Sequence, residues 1–189
     1  MDIKKTFISI LALSMMSCST IFAVFYPTDI DLNSGDTGLY PKYLYDNVSY
    51  PRISGRMDHA IYLDANSVVV KYLSADEGIV WAQYEIGVGF TYDGTTEHLK
   101  NVSEPQIYWY YFPKNSNNRS YSSVMIDERL CTLPPFEEDT AYYSSDYGQN
   151  WHPISLDYQT ESEHHLYRAF WIGLYALENS QQISWDDVH

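Results

Sequence analysis

The stretch Val68-Val69-Val70-Lys71-Tyr72-Leu73-Ser74-Ala75-Asp76-Glu77-Gly78-Ile79-Val80-Trp81 decides the fold class. Two runs rich in β-branched and aromatic side chains flank a short polar turn that ends in glycine. An Asp in such a turn can fold its carboxylate onto backbone N–H groups, and a Gly two residues later takes the positive φ that other residues resist. The stretch reads as a β-hairpin. Outward from it, turn formers punctuate short β-prone runs along the chain, the pattern of a mainly β domain.

The order of residue types S-x-D-x-G-x-x-W occurs twice, at Ser74–Trp81 and again at Ser144-Ser145-Asp146-Tyr147-Gly148-Gln149-Asn150-Trp151. Each match follows a β run, the second being Thr140-Ala141-Tyr142-Tyr143. The pattern resembles the Asp-box, or BNR repeat, carried on β-hairpins of sialidases and other β proteins. The resemblance implies that Ser74, Asp76, Gly78 and Trp81, and likewise Ser144, Asp146, Gly148 and Trp151, close turns away from any active centre. It covers two hairpins, and the chain is too short for a full sialidase propeller. The expected architecture is a compact antiparallel β-sandwich or a partial propeller-like meander.

Strands are expected at Ala60–Leu63, at Ser67–Leu73 after a turn at Asp64-Ala65-Asn66, at Val80–Phe90 and at Ile107–Phe112. Ser120–Ile126 is expected to form a hairpin with Ile107–Phe112 around the polar tip Pro113–Arg119. Thr140–Ser144 and Trp151–Tyr158 make a last pair, and the turn-rich residues 24–56 wrap an edge. Residues 163–178 read two ways. Leu166, Phe170, Leu174 and Leu177 share a helical face behind a Thr160-x-x-Glu163 capping box, while Tyr167, Ala169, Trp171, Gly173 and Tyr175 alternate as in a strand. The aromatic content tips the reading toward strand, with a C-terminal helix as the alternative.

The first residues bear on compartment. A basic start at Lys4-Lys5, an apolar run Thr6–Met16 and small residues up to Ala23 follow the grammar of a secretory signal. The expected division is a signal peptide over 1–23 and one β-rich domain over 24–189, exported to the periplasm or the medium. A second reading makes Cys18 the acylated residue of a lipoprotein. Either way no transmembrane segment is expected in the mature chain. Cleavage after Ala23 leaves Cys131 as the single cysteine, read as a small buried apolar residue.

The chain holds 11 Lys and Arg against 25 Asp and Glu, a net charge of −14. Such a field repels nucleic acid and anionic membranes and speeds association with a basic partner. No nucleic-acid partner is expected. No glycine-rich phosphate loop, G-x-S-x-G or H-E-x-x-H spacing occurs, so no metal, cofactor or catalytic residue is assigned and the chain is read as a binding protein, not an enzyme. Tyr50-Pro51-Arg52-Ile53 resembles the sialidase arginine motif with its proline displaced, which makes a minimal sialidase-like glycosidase the third reading.

Three segments are read as partner-binding. They are Tyr108-Trp109-Tyr110-Tyr111, too aromatic for both strand faces to be core, the acidic Glu137-Glu138-Asp139, and Trp185-Asp186-Asp187. Aromatic anchors beside charges are how tight protein interfaces are built. In its general properties the chain resembles exported immunity proteins of type VI secretion. The leading expectation is an envelope inhibitor that occludes the active site of a basic secreted toxin or hydrolase. The alternative is a secreted carbohydrate-binding module of Asp-box type, with a glycan as partner.

Overall fold

The computed structural model describes residues 40–92, 97–157 and 164–184. The expected signal segment, Cys18, the Thr160-x-x-Glu163 box and Trp185-Asp186-Asp187 lie outside the described residues. The elements are β1 (Arg52–Arg56), β2 (His59–Ser74), β3 (Gly78–Tyr92), β4 (Glu97–Val102), β5 (Gln106–Pro113), β6 (Ser122–Ile126), β7 (Arg129–Leu133), β8 (Thr140–Ser144), β9 (His152–Ser155) and one α-helix, α1 (His164–Asn179).

The protein is mainly β. Seven strands form one antiparallel sheet in the order β1-β2-β3-β5-β8-β9, with β4 continuing the far half of β3's second edge. The sheet curls into a half-barrel around α1, which contacts β1, β2 and β9. Strand β3 is central because its side chains are apolar on both faces at once, the mark of a strand covered on both sides. Ile79 and Trp81 face α1, while Val80 and Ala82 face the separate two-stranded β6–β7 hairpin. Farther along, Ile86, Val88 and Phe90 lie under Tyr40 and Leu44 of the N-terminal segment.

Several sequence expectations change here. The turn expected at Asp64-Ala65-Asn66 is a bulge inside a single long strand, since Asp64 pairs with Tyr84 and Val69 with Ala82. Asp64 Oδ1 still accepts the Asn66 N–H at 3.1 Å, but the chain does not reverse. Strand β5 does not pair with β6. It pairs with β8, and β6 pairs with β7 across a two-residue turn in which Asp127 and Glu128 have φ of 48° and 63°. Positive φ at both positions matches the right-handed strand twist, so a tight turn is made here without glycine.

The tilt toward strand over 163–178 is also corrected, because His164–Asn179 is helical. Tyr167, Trp171 and Tyr175 are four residues apart and line one side of the helix, the first pair meeting edge-on at 6.3 Å and the second stacked at 6.1 Å. The opposite side buries Ala169, Phe170, Gly173, Ala176 and Leu177. The helix ends with Gln181 at φ 58°, and the Gln182 amide then bonds Val68 O and Val70 N–H of β2 at 2.8 and 3.0 Å. Those contacts satisfy backbone groups where the bulged β2 has left its ladder.

Phe170 sits 5.2 Å from the Trp81 ring and 5.5 Å from Phe112. Beside it, a Cβ on Gly173 would overlap the Gln83 side-chain oxygen and approach Trp81 Nε1 to 2.8 Å. Gly173→Ala should therefore lower the unfolding free energy by about 2 kcal/mol. Helix propensity alone would raise it by about 1 kcal/mol. Urea denaturation decides between these, and an unchanged or raised midpoint would mean that Gln83 can yield.

Candidate functional site

The two S-x-D-x-G-x-x-W segments build different connections. In the first, Ser74 pairs directly with Gly78, and the Ser74 hydroxyl accepts the N–H groups of Asp76 and Glu77 at 3.2 and 3.3 Å. The Asp76 carboxylate is exposed and accepts no hydrogen bond among the described residues. Gly78 has φ 116°, and a Cβ there would overlap the Phe112 carbonyl. Trp81 is fully buried against α1.

The second segment is a longer loop between β8 and β9. Its Asp146 receives the Ser144 hydroxyl at 2.6 Å, the Asn150 N–H at 2.9 Å and the Asn150 side-chain amide at 2.6 Å. The Ser144 oxygen also accepts the Gly148 N–H at 2.9 Å. Burial pushes the Asp146 pKa up, but the bonds from Ser144, Asn150 and the Gln149 backbone together outweigh it and hold the value at about 2. Gly148, at φ 78°, fits against Trp109, Trp151 and Cys131. Trp151 packs toward the hairpin side, 5.8 Å from Tyr111, and not toward α1.

Beside this second turn is an open cleft of about 360 Å³. Its walls include Tyr121, Pro134, Tyr142, Trp151 and Pro153, with Glu137 at the rim. Tyr142 and Pro153 are cross-strand partners on β8 and β9, which puts both on the face away from α1. Glu137, Glu138 and Asp139 are all exposed, and the Glu137 carboxylate has no hydrogen bond or ion pair among the described residues. Tyr142 is pushed up to about 12, first by burial and then by the Glu137 charge. The outer face of the adjoining hairpin exposes Met125 and Leu130, which are cross-strand partners, and Thr132 links that face to the cleft.

Of the residues read as partner-binding, Glu137 therefore lines a cleft, and Glu138 and Asp139 are exposed next to it in the chain. Trp109, Tyr110 and Tyr111 do not reach the surface, because α1 covers one face of β5 and the β6–β7 hairpin the other. Tyr108 is half-buried, and its ring lies 6.5 Å from Tyr143. The whole quartet is core or its margin, which corrects the expectation of an open face. Arg52 is also interior, donating to the Tyr40 carbonyl, so it anchors the N-terminal segment. Cys131 is buried as expected.

No protein-family model, curated protein or solved structure matches this chain.

Among the described residues no group of His, Cys, Asp and Glu side chains is placed to hold a metal ion. No described helix is long and apolar enough to cross a membrane. One buried polar chain escaped the sequence reading. Trp81 Nε1 donates to the Gln83 oxygen at 3.1 Å, and Gln83 Nε2 donates to Glu85 at 3.1 Å and to the Ala169 carbonyl at 3.2 Å. The Tyr110 hydroxyl donates to the same Glu85 oxygen at 2.7 Å. Burial raises the Glu85 pKa from 4.5 to about 7, against the hydrogen bonds from Tyr110 and Gln83. The signal was present in sequence: Gln83 and Glu85 are two apart, hence on one face, in a run otherwise apolar on both.

Two predictions follow from these geometries. Asp146→Ala should cost about 1 kcal/mol of stability and Asp76→Ala close to nothing, because only Asp146 holds its loop through its carboxylate. Asp146 has a depressed folded value, so its contribution is present above its ordinary 3.8 and is lost as pH falls through about 2. Equal losses in thermal unfolding of the two variants would contradict the geometry.

Glu85 has the opposite sign. Its folded pKa is raised, so the unfolded chain ionises first and stability declines as pH climbs from 4.5 to about 7. Glu85→Gln keeps the shape of the neutral acid and should be more stable than the parent at pH 8, by about 1–3 kcal/mol. Near pH 4 the two should match. A parent that loses nothing relative to Glu85→Gln across this range would show that Glu85 ionises freely.

Proposed function

We propose that this protein is an exported, acidic binding protein that holds a basic protein partner, and that this partner is a secreted toxin or hydrolase inhibited by occlusion of its active site. The observation that carries the reading is the cleft of Tyr121, Tyr142 and Trp151, lined also by the exposed carboxylate of Glu137, which has no ion pair among the described residues, with Glu138 and Asp139 exposed next in the chain. Aromatic anchors give an interface contact area at low entropic cost, and surrounding acids select a basic partner and speed its approach. Exposed Met125 and Leu130 on the adjoining hairpin extend this surface with apolar area. The signal-like residues 1–23 supply the export step, and a net charge of −14 supplies the long-range attraction.

A carbohydrate-binding module is the second reading. The rings of Tyr121 and Trp151 with the exposed amide of Gln149 favour it, since sugars are held by stacking and amide hydrogen bonds.

Affinity capture separates the two. The chain from Val24 onward is used as bait against envelope and secreted proteins of its source, at low and high salt. Recovery of a basic enzyme that loses activity on mixing, with association slowed by salt, is the expected result. Retention on a glycan array with no protein recovered would replace the inhibitor reading by the sugar-binding one.

A further inference from the structure

We propose that the cleft beside the second turn is a receptor for one cationic side chain, an arginine or lysine, presented by a protein partner. This rests on the binding-protein reading above and specifies what the site takes. Three of the polar groups that a sugar could use here are not open to it. The Tyr142 hydroxyl donates to the Pro135 carbonyl at 3.2 Å, and the Asn150 side-chain amide donates to Asp146. The Trp151 indole N–H is buried from solvent and is not offered to a ligand. Beside the exposed Thr132 and Gln149 side chains, the cleft presents ring surface and one carboxylate, Glu137, for which no ion pair is found among the described residues.

Ring faces and a carboxylate together are the chemistry that holds a cation. The aromatic quadrupole attracts it from the sides, and the carboxylate receives charge-assisted hydrogen bonds. Tyr121 is 70 % exposed in the cleft lining, so its ring is accessible to an entering chain. A cleft of about 360 Å³ accommodates a guanidinium or an alkylammonium stem with water. The surrounding field favours the cation before contact, since Glu138 and Asp139 are exposed alongside.

The test is an NMR titration of the isotopically labelled protein with Nα-acetyl-arginine methylamide, its uncharged citrulline counterpart, and a neutral N-acetylglucosamine trimer. The Trp151 indole resonance is identified by its loss in Trp151→Phe. The arginine probe should shift that resonance saturably and less so at high salt, and citrulline should not. Glu137→Gln should weaken arginine binding about fivefold. Glu104→Gln, an exposed acid outside the cleft, should leave it unchanged. Equal shifts from citrulline, saturation by the sugar, or no saturable shift from arginine would each overturn the proposal. If the arginine probe binds while capture yields no protein partner, the inhibitor reading fails and the cleft stands. If capture yields an inhibited enzyme that binds Glu137→Gln as well as the parent, the cleft proposal fails and the inhibitor reading stands.

Discussion

The amide of Gln83, buried between sheet and helix, is the contact on which the rest of the arrangement depends. It accepts from Trp81, donates to Glu85 and to the Ala169 carbonyl, and so ties two strand residues to the helix in one step. An unbonded buried amide would cost several kcal/mol, so α1 has one register on the sheet in which this group is satisfied. Gly173 makes that register possible by leaving space over Gln83, and Phe170 fills the adjoining hollow against Trp81 and Phe112. An apolar seam would hold the helix as strongly. The polar one also fixes where it lies.

Coverage of both faces of β3 and β5 has a consequence for the surface. Because β5 pairs with β8, the β6–β7 hairpin is an excursion that folds back on the face away from α1 and seals it with Val124, Ile126, Cys131 and Leu133. The chain must then return to β8, and it does so through Pro134 and Pro135, which hold it extended along the sheet edge. Phe136 N–H bonds the Asn118 carbonyl at 2.9 Å and joins this return to the start of the excursion. The acids that follow are thereby carried to the rim of the aromatic hollow between β8, β9 and the hairpin. The cleft is thus a by-product of connectivity, positioned by pairings that lie far from it in sequence.

That distinction explains what was legible in advance. The β-branched and aromatic runs Val80–Phe90 and Ile107–Phe112 disclosed the strands, because strand propensity is local. Pairing was not legible, since β5 and β6 are neighbours in sequence and only the burial of Tyr110 on one face and of Trp109 and Tyr111 on the other sends β5 to β8 instead. The spacing of Tyr167, Trp171 and Tyr175 was undecidable because four residues satisfy both a strand and a helix. The small residues Ala169 and Gly173 held the answer, as they mark the side on which a helix approaches a sheet. The repeated S-x-D-x-G-x-x-W order was read as one device used twice. Only Asp146 takes the expected role, because the first turn is too short to need its carboxylate and the Ser74 hydroxyl serves alone. Of the surface, the acids near 137 were visible as charge, whereas Tyr142 and Trp151 became cleft walls only through the β8–β9 pairing.

The acidity of the exterior exceeds what composition alone conveys. Arg52 and Arg168 are withdrawn into the interior, at 1 % and 3 % exposure, while Lys71 is engaged with Asp127 at 2.6 Å and Arg129 lies over the Tyr147 ring at 4.6 Å. Cations near the hairpin are therefore spent on holding its turn against the sheet and the second loop. The 137–139 acids keep no such local partner among the described residues. A charge left uncompensated on a surface costs little in water, but it is fully available to an incoming cation. The fold thus engages Lys71 and Arg129 at the hairpin while the Glu137 carboxylate stays open at the cleft, and that division gives this surface its direction.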